Sequence, residues 1–251
     1  MDNNRTEAVT LAPSDLPVNL CVFDTEEKKE AETMNNIFPN LTAAVNAYYN
    51  EQAAKFAADL ETVTVKYALD HWYYRDRMTA AALRDAQAAN PAETLPEAVR
   101  VKMVKRFNRE NEKNRAARLD KLTRAAEAKP LDHADIIVTW TKSRTWGYNP
   151  TAEVFTAERR TTDHASGCGY DKESAAVAGA FNLHPSIMRA LYEHAEKGGK
   201  FPYSVYETAG VPWFDGGCGM SSFRNVFEAI GYQWRDVSHR SKNVSVYAIT
   251  R

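Results

Sequence analysis

Two glycine-rich turns, Ser166-Gly-Cys-Gly-Tyr-Asp-Lys172 and Gly216-Gly-Cys-Gly-Met-Ser-Ser222, carry the chemistry-bearing pattern that stands out in this sequence. Each leads into a helical stretch. Glycine lets backbone amides turn toward a ligand, and a helix N-terminus favours an anion. Gly167, Gly169, Gly217 and Gly219, backed by Lys172 and Arg224, therefore form a candidate anion-binding set. Neither turn matches the eight-residue phosphate loop or the dinucleotide fingerprint, and tight helix–strand packing accounts for the glycines equally well. Cys168 and Cys218 hold matching places in the two turns. A thiol near a helix N-terminus can ionise and act as a nucleophile, with His164, His184 or His239 available as a base. No spacing fixes a Cys–His pair, and both cysteines also suit small buried positions. With no C-x-x-C and no paired histidines, neither a metal nor another cofactor is expected, and no residue is assigned a catalytic role.

Basic residues make a second pattern. Lys102, Arg106, Arg109 and Lys113 recur at i, i+4, i+7 and i+11, which lines one helix face. Such a stripe can track a phosphate backbone, grip an acidic protein groove, or simply face solvent. The segment Lys142-Ser-Arg-Thr-Trp-Gly-Tyr-Asn-Pro150 puts Lys142, Arg144, Trp146 and Tyr148 on a hairpin tip, with Arg159 and Arg160 following. Cations beside aromatics suit stacking on bases or a protein hot spot, unless Trp146 folds back over the core. In His71-Trp-Tyr-Tyr74, Trp72 and Tyr74 are expected to pack against the second, basic helix or to meet another chain.

The elements that must position these groups divide the chain in three. Residues 1–39 read as an extended acidic arm, since residues 1–34 hold eight acids against three bases. Residues 40–130 read as a helical hairpin or coiled-coil region. Asn40 suits an N-cap, and a run without Pro or Gly follows to Asn90, its apolar residues from Leu41 to Leu83 recurring mostly at three- and four-residue steps. The β-branched Thr62-Val-Thr-Val run is where that helix would break; unbroken, it would span about 75 Å. A basic helix follows from Pro96 to Ala128, and residues 100–129 hold eleven bases against four acids. Such a hairpin buries little alone, so another helix, the following domain or a second copy should cover it.

Residues 131–251 read as a compact α+β domain of two β-hairpins with three helices. Ile136–Lys142 and Ala152–Arg160 are expected strands joined by a loop from Ser143 to Pro150. Helices are expected over 172–182, from Pro185 to the Gly198-Gly199 pair, and from a Ser221 or Ser222 cap to Gly231. Residues 232–238 and 244–250 close the chain as a hairpin. The predicted class is thus α+β: a long helical hairpin followed by a compact α+β domain.

Composition narrows the functional classes. The 251 residues are 44% hydrophobic and 26% charged, ordinary globular values. No apolar run reaches the roughly 18 residues of a membrane span. The start, MDNNRTEAVTLAPSD, lacks the basic-then-apolar pattern of a secretory signal. Three cysteines argue for a reducing compartment. A cytoplasmic location without membrane contact is therefore expected.

The stretch from Trp140 to Phe181, with its Trp-Thr-Lys-Ser-Arg-Thr-Trp-Gly-Tyr-Asn-Pro loop and Gly-Cys-Gly-Tyr-Asp-Lys-Glu-Ser-Ala-Ala turn, resembles a domain of uncharacterised proteins from bacterial phages and mobile elements. That resemblance implies a setting, a protein expressed by a mobile element inside a bacterial cell, and it carries no catalytic residues. Accessory proteins of that setting often disable host defence complexes, including CRISPR effectors. The expected function is accordingly non-catalytic. The chain would bind and occlude a host protein or ribonucleoprotein complex that handles nucleic acid, an anti-CRISPR-type inhibitor being the sharpest version. Two alternatives stay open: direct binding of DNA or RNA through the basic helix, and a small enzyme holding an anionic or nucleotide ligand between the glycine turns. The exposed length of the hairpin also makes a homodimer a candidate.

Overall fold

A computed structural model of the chain describes residues 37–144, 147–165, 171–238 and 243–251. The long helix α1 runs Pro39–Thr62, with proline in its first turn, where the missing N–H costs nothing. Asn40 is not its cap, as the sequence had suggested. The start is closed from outside, by Glu196, whose carboxylate accepts from the Asn40 N–H at 2.8 Å and the Leu41 N–H at 3.0 Å. The expected run to Asn90 breaks after Thr62. Three short helices follow: α2 (Val65–Asp70), α3 (Trp72–Arg77) and α4 (Ala80–Ala88). Threonine hydroxyls restart the chain twice, Thr64 accepting from the Tyr67 N–H and Thr79 from the Ala82 N–H. The returning segment locks the first break, because the Val65 N–H donates to Glu93 and the Leu95 N–H to Val63.

The basic helix α5 spans Glu97–Glu127, about 46 Å for its 31 residues. It lies antiparallel to α1. Phe56 stacks on Phe107 with ring centroids 4.2 Å apart, and the Asn111 amide donates to the Tyr49 carbonyl at 2.7 Å. The short helices α2 and α4 cover the far end of this pair, where Ala68, Met78, Ala82 and Ala86 join Phe56, Met103 and Phe107 in one apolar cluster. Tyr74 packs beside Phe56, but Trp72 does not pack on α5: it is 76% exposed.

The remaining chain is α+β, as the patterning indicates. Five strands, β1 (His133–Ser143), β2 (Gly147–Phe155), β3 (Arg160–His164), β6 (Gln233–Asp236) and β7 (Val244–Thr250), form one antiparallel sheet in the order β3-β2-β1-β7-β6. The two expected hairpins are therefore two halves of one sheet, because β1 pairs with β2 on one side and β7 on the other. The loop after β1 is tighter than expected, since Ser143 already faces Gly147, which adopts a positive φ. The returning strand ends at Phe155 instead of Arg160. The Thr156 hydroxyl accepts from the Arg159 N–H and turns the chain into β3. Within residues 200–220, which read from the sequence as a loop with a short strand or a bent segment, a separate hairpin forms from β4 (Val205–Thr208) and β5 (Val211–Phe214).

Three helices bury one face of the sheet. These are α6 (Lys172–Asn182), α7 (Pro185–Glu196) and α8 (Met220–Ala229); Gly219, not a serine, precedes the last. Ala134, Ile136 and Val138 alternate inward from β1 to meet Ala152 and Val154 of β2 and, from the helices, Val177, Phe181 and Phe227. The same cluster takes in Leu41, Val45, Leu122 and Ala125 from the near end of the helical pair, so one core runs from hairpin to sheet. Residues 37–251 make one compact unit. Among the described residues no helix is long and apolar enough to cross a membrane.

Candidate anion-binding cleft

Along α5, Phe107, Asn111, Asn114, Arg118 and Lys121 follow one another at three- and four-residue steps and share a face. That face lies about 130° around the helix from Lys102, Arg106, Arg109 and Lys113, at roughly 100° per residue. It forms the floor of a cleft of about 550 Å³. Tyr48 and Gln52 of α1 and Tyr73 and Arg77 of α3 line the walls, with Thr208 of β4 at one end. The break at Val63 makes this possible. A continuous first helix would carry Tyr73 and Arg77 away along its axis, whereas the short helices fold them back beside Phe107.

The lining holds Arg77, Arg118 and Lys121 and no carboxylate. Arg77 places its guanidinium 5.3 Å from the Phe107 ring centroid and bonds Glu110 from behind, while its buried Nε has no partner among the described residues. Arg118 sits 4.9 Å over the Trp213 ring of β5. Lys121 is solvent-exposed over much of its length, yet desolvation of the ammonium, reinforced by the Arg118 charge, holds its pKa below the ordinary lysine value. Neither Arg118 nor Lys121 forms an ion pair among the described residues. Ala117 and Lys121 also line a neighbouring groove of about 190 Å³, where Arg124 and Arg159 add two more cations. The only carboxylate there, Asp120, pairs with Arg124 at 2.9 Å.

The stripe read from the sequence has a different character. Lys102 pairs with Asp85 of α4, and Arg106 bonds Glu110 at 3.2 Å and the Met78 carbonyl at 3.0 Å. Both fasten the short helices to α5. Arg109 and Lys113 stay exposed and without an ion pair among the described residues. At the end of β1, Lys142 and Arg144 are exposed, Tyr148 is half exposed, and Trp146 lies outside the described residues. Arg159 reaches the groove beside Lys121, whereas Arg160 pairs with Glu153 and covers Phe155.

Of the glycine turns, the first, with Gly167, Cys168 and Gly169, lies outside the described residues. In the second, the Gly217 N–H donates to Asp215 at 2.7 Å, and Gly219 lies beside Asp171. Gly216 is required for space, since a Cβ there would meet Ala175 at 3.0 Å. The Cys218 thiol is buried and donates to the Ser204 carbonyl. Burial, then the nearby Asp215 and Asp171 charges, pushes its pKa up, although a hydrogen bond at the Asp215 backbone pulls the other way. The thiol is thus held protonated, whereas nucleophilic attack needs the thiolate. Lys172 reaches across to Tyr148 and Asn149, and Arg224 pairs with Glu228 at 2.7 Å. The described residues contain no cluster of His, Cys, Asp or Glu able to hold a metal ion.

The sequence reading passed over Arg118, Lys121, Asn111 and Asn114. Their signal was present: two asparagines at heptad-like positions, in register with Phe107, on a helix otherwise dominated by charge. Comparison with family models, curated proteins and solved structures finds no match to this chain.

Proposed function

We propose that this chain is a non-catalytic, cytoplasmic binding protein, and that its working surface is the cationic cleft on α5, which takes a polyanionic ligand and keeps it from other machinery. One observation carries this reading: Arg118 and Lys121 stand in a concave, partly desolvated site whose lining holds no carboxylate. Like charges gathered in such a place repel, and an anion relieves the repulsion while releasing its own counterions. A protein with no ligand for them would gain by placing an acid nearby, as the chain does for Lys102 and Arg106. Residues 37–251 carry 29 bases against 25 acids, so the cations of the cleft are not swamped by an acidic body.

Retention on a heparin column tests this. R118E/K121E should elute at markedly lower salt than the wild type. R109E/K113E changes the net charge equally but lies on the other face, so it should elute close to wild type. Equal shifts for both variants would mean that overall charge, not the cleft, governs binding, and the reading would fail.

A second reading has an observation of its own. Trp72 is 76% exposed beside the stacked Tyr67 and His71, and exposed aromatics of this kind suit a protein contact. This favours the occluding accessory protein of a phage or mobile element, directed at a host complex such as a CRISPR-type nuclease. In that case Trp72→Ala abolishes the effect and R118E/K121E does not.

A further inference from the structure

We infer that the polyanion is single-stranded nucleic acid, with one base seated in the cleft against Tyr48 and Tyr73 and the backbone led along Lys121 toward Arg159. This rests on the binding reading above and names its ligand class. Three kinds of group line the cleft, and each meets a different part of a nucleotide. Tyr48 and Tyr73 bring aromatic rings, on which any base stacks, one face of Tyr73 being taken by the Arg77 guanidinium 5.5 Å away. The amides of Gln52 and Asn114 offer paired donors and acceptors to a base edge. Arg118 and Lys121, which form no ion pair among the described residues, meet phosphate, with the Arg77 guanidinium, already bonded to Glu110, beside them. An inorganic polyanion uses only the third kind. The volume, about 550 Å³, falls within the roughly 300–1,000 Å³ typical of small-ligand sites, so a nucleotide fits.

The neighbouring groove supplies direction. It meets the cleft at Ala117 and Lys121, and Arg159 extends the positive track, Arg124 being paired with Asp120. From Phe107 to Arg124 the helix advances about 26 Å, enough for roughly four extended nucleotides, the low end of known single-strand sites. A duplex hides its base faces and therefore cannot use the tyrosines. The favoured ligand is accordingly a single strand with unstacked bases.

Fluorescence anisotropy with fluorescein-labelled (dT)12 at near-physiological salt tests the inference on the unmodified protein. Competitors are unlabelled (dT)12, a 12-mer abasic strand with the same phosphates, and a 12-base-pair duplex. The abasic strand and the duplex should each compete at least about tenfold more weakly than (dT)12. Y48A/Y73A should lose affinity for (dT)12 by a similar factor, and Y48F/Y73F, which keeps the rings, should recover most of it. Competition by the abasic strand equal to that of (dT)12 would overturn base recognition and leave the cationic cleft standing. So would heparin retention without (dT)12 binding. Failure to bind either probe would overturn both readings.

Discussion

At the residue scale, Lys121 reports on the cleft through its proton. Desolvation, joined by the Arg118 charge, lowers its pKa in the free protein. A bound phosphate favours the charged ammonium and must raise that pKa again, so binding takes up a proton wherever the free lysine has begun to lose its own. Affinity for an anion should therefore fall as pH rises, and the fall should begin below the ordinary lysine range near 10.4. Lys121→Arg keeps its charge throughout and should flatten the alkaline limb, leaving neutral-pH affinity within a few-fold. Anisotropy titrations between pH 7 and 10 read both effects. A wild-type profile identical to that of Lys121→Arg would remove Lys121 from the site. Cys218 shows the opposite arrangement: its neighbours are the carboxylates Asp215 and Asp171, and its thiol is held protonated.

At the element scale, the long helices are held at their ends by groups distant in sequence. Glu196, on the last turn of α7, closes the start of α1 by accepting from two of its orphan N–H groups. Glu196→Ala should cost about 1 kcal/mol in chemical denaturation, the usual worth of an N-cap, whereas Asn40→Ala should cost much less because Asn40 makes only one long side-chain bond there, at 3.3 Å. Comparable losses would mean the cap is local after all. The same contrast explains what was legible in the sequence. Elements with local signals were readable: α5 between Pro96 and Pro130, α7 between Pro185 and the glycine pair, and the period-2 run of β1. What depends on distant partners was not. Nothing near Pro39 announces Glu196, and nothing in residues 152–160 announces that Thr156 reverses the chain. The cleft lay hidden for the same reason. Its α5 residues form a readable face, but Tyr73 and Arg77 reach it only because the first helix ends at Thr62 and the chain restarts at Thr64 and again after His71. Charge alone pointed to Lys102 and Arg106, whose acidic partners, Asp85 and Glu110, turn them into fasteners.

At the scale of the whole molecule, the cleft lies where two apolar clusters meet along the same pair of helices. The far cluster contains Phe56 and Phe107; the near one contains Val45, Leu122 and the sheet. Between them the Asn111 amide donates to the Tyr49 carbonyl, with the cleft opening beside it. A weak middle would let the far end melt alone, but α1 and α5 pass through both clusters without a break. Unravelling the far end would strip helical turns from the near core as well, so the two should unfold together. Far-UV circular dichroism follows all helices, whereas in a Trp72→Phe background tryptophan emission reports on Trp140 and Trp234 of the near cluster and not on the far end. The two denaturation curves should coincide. Phe107→Ala, in the far cluster, should cost about 3–5 kcal/mol and move both curves to the same lower midpoint. Two separate midpoints, with helix lost before tryptophan emission changes, would mean that the far end folds independently. The walls of the cleft would then be mobile relative to its floor, and a ligand seated on Tyr73 and Arg118 at once would have to order them on binding.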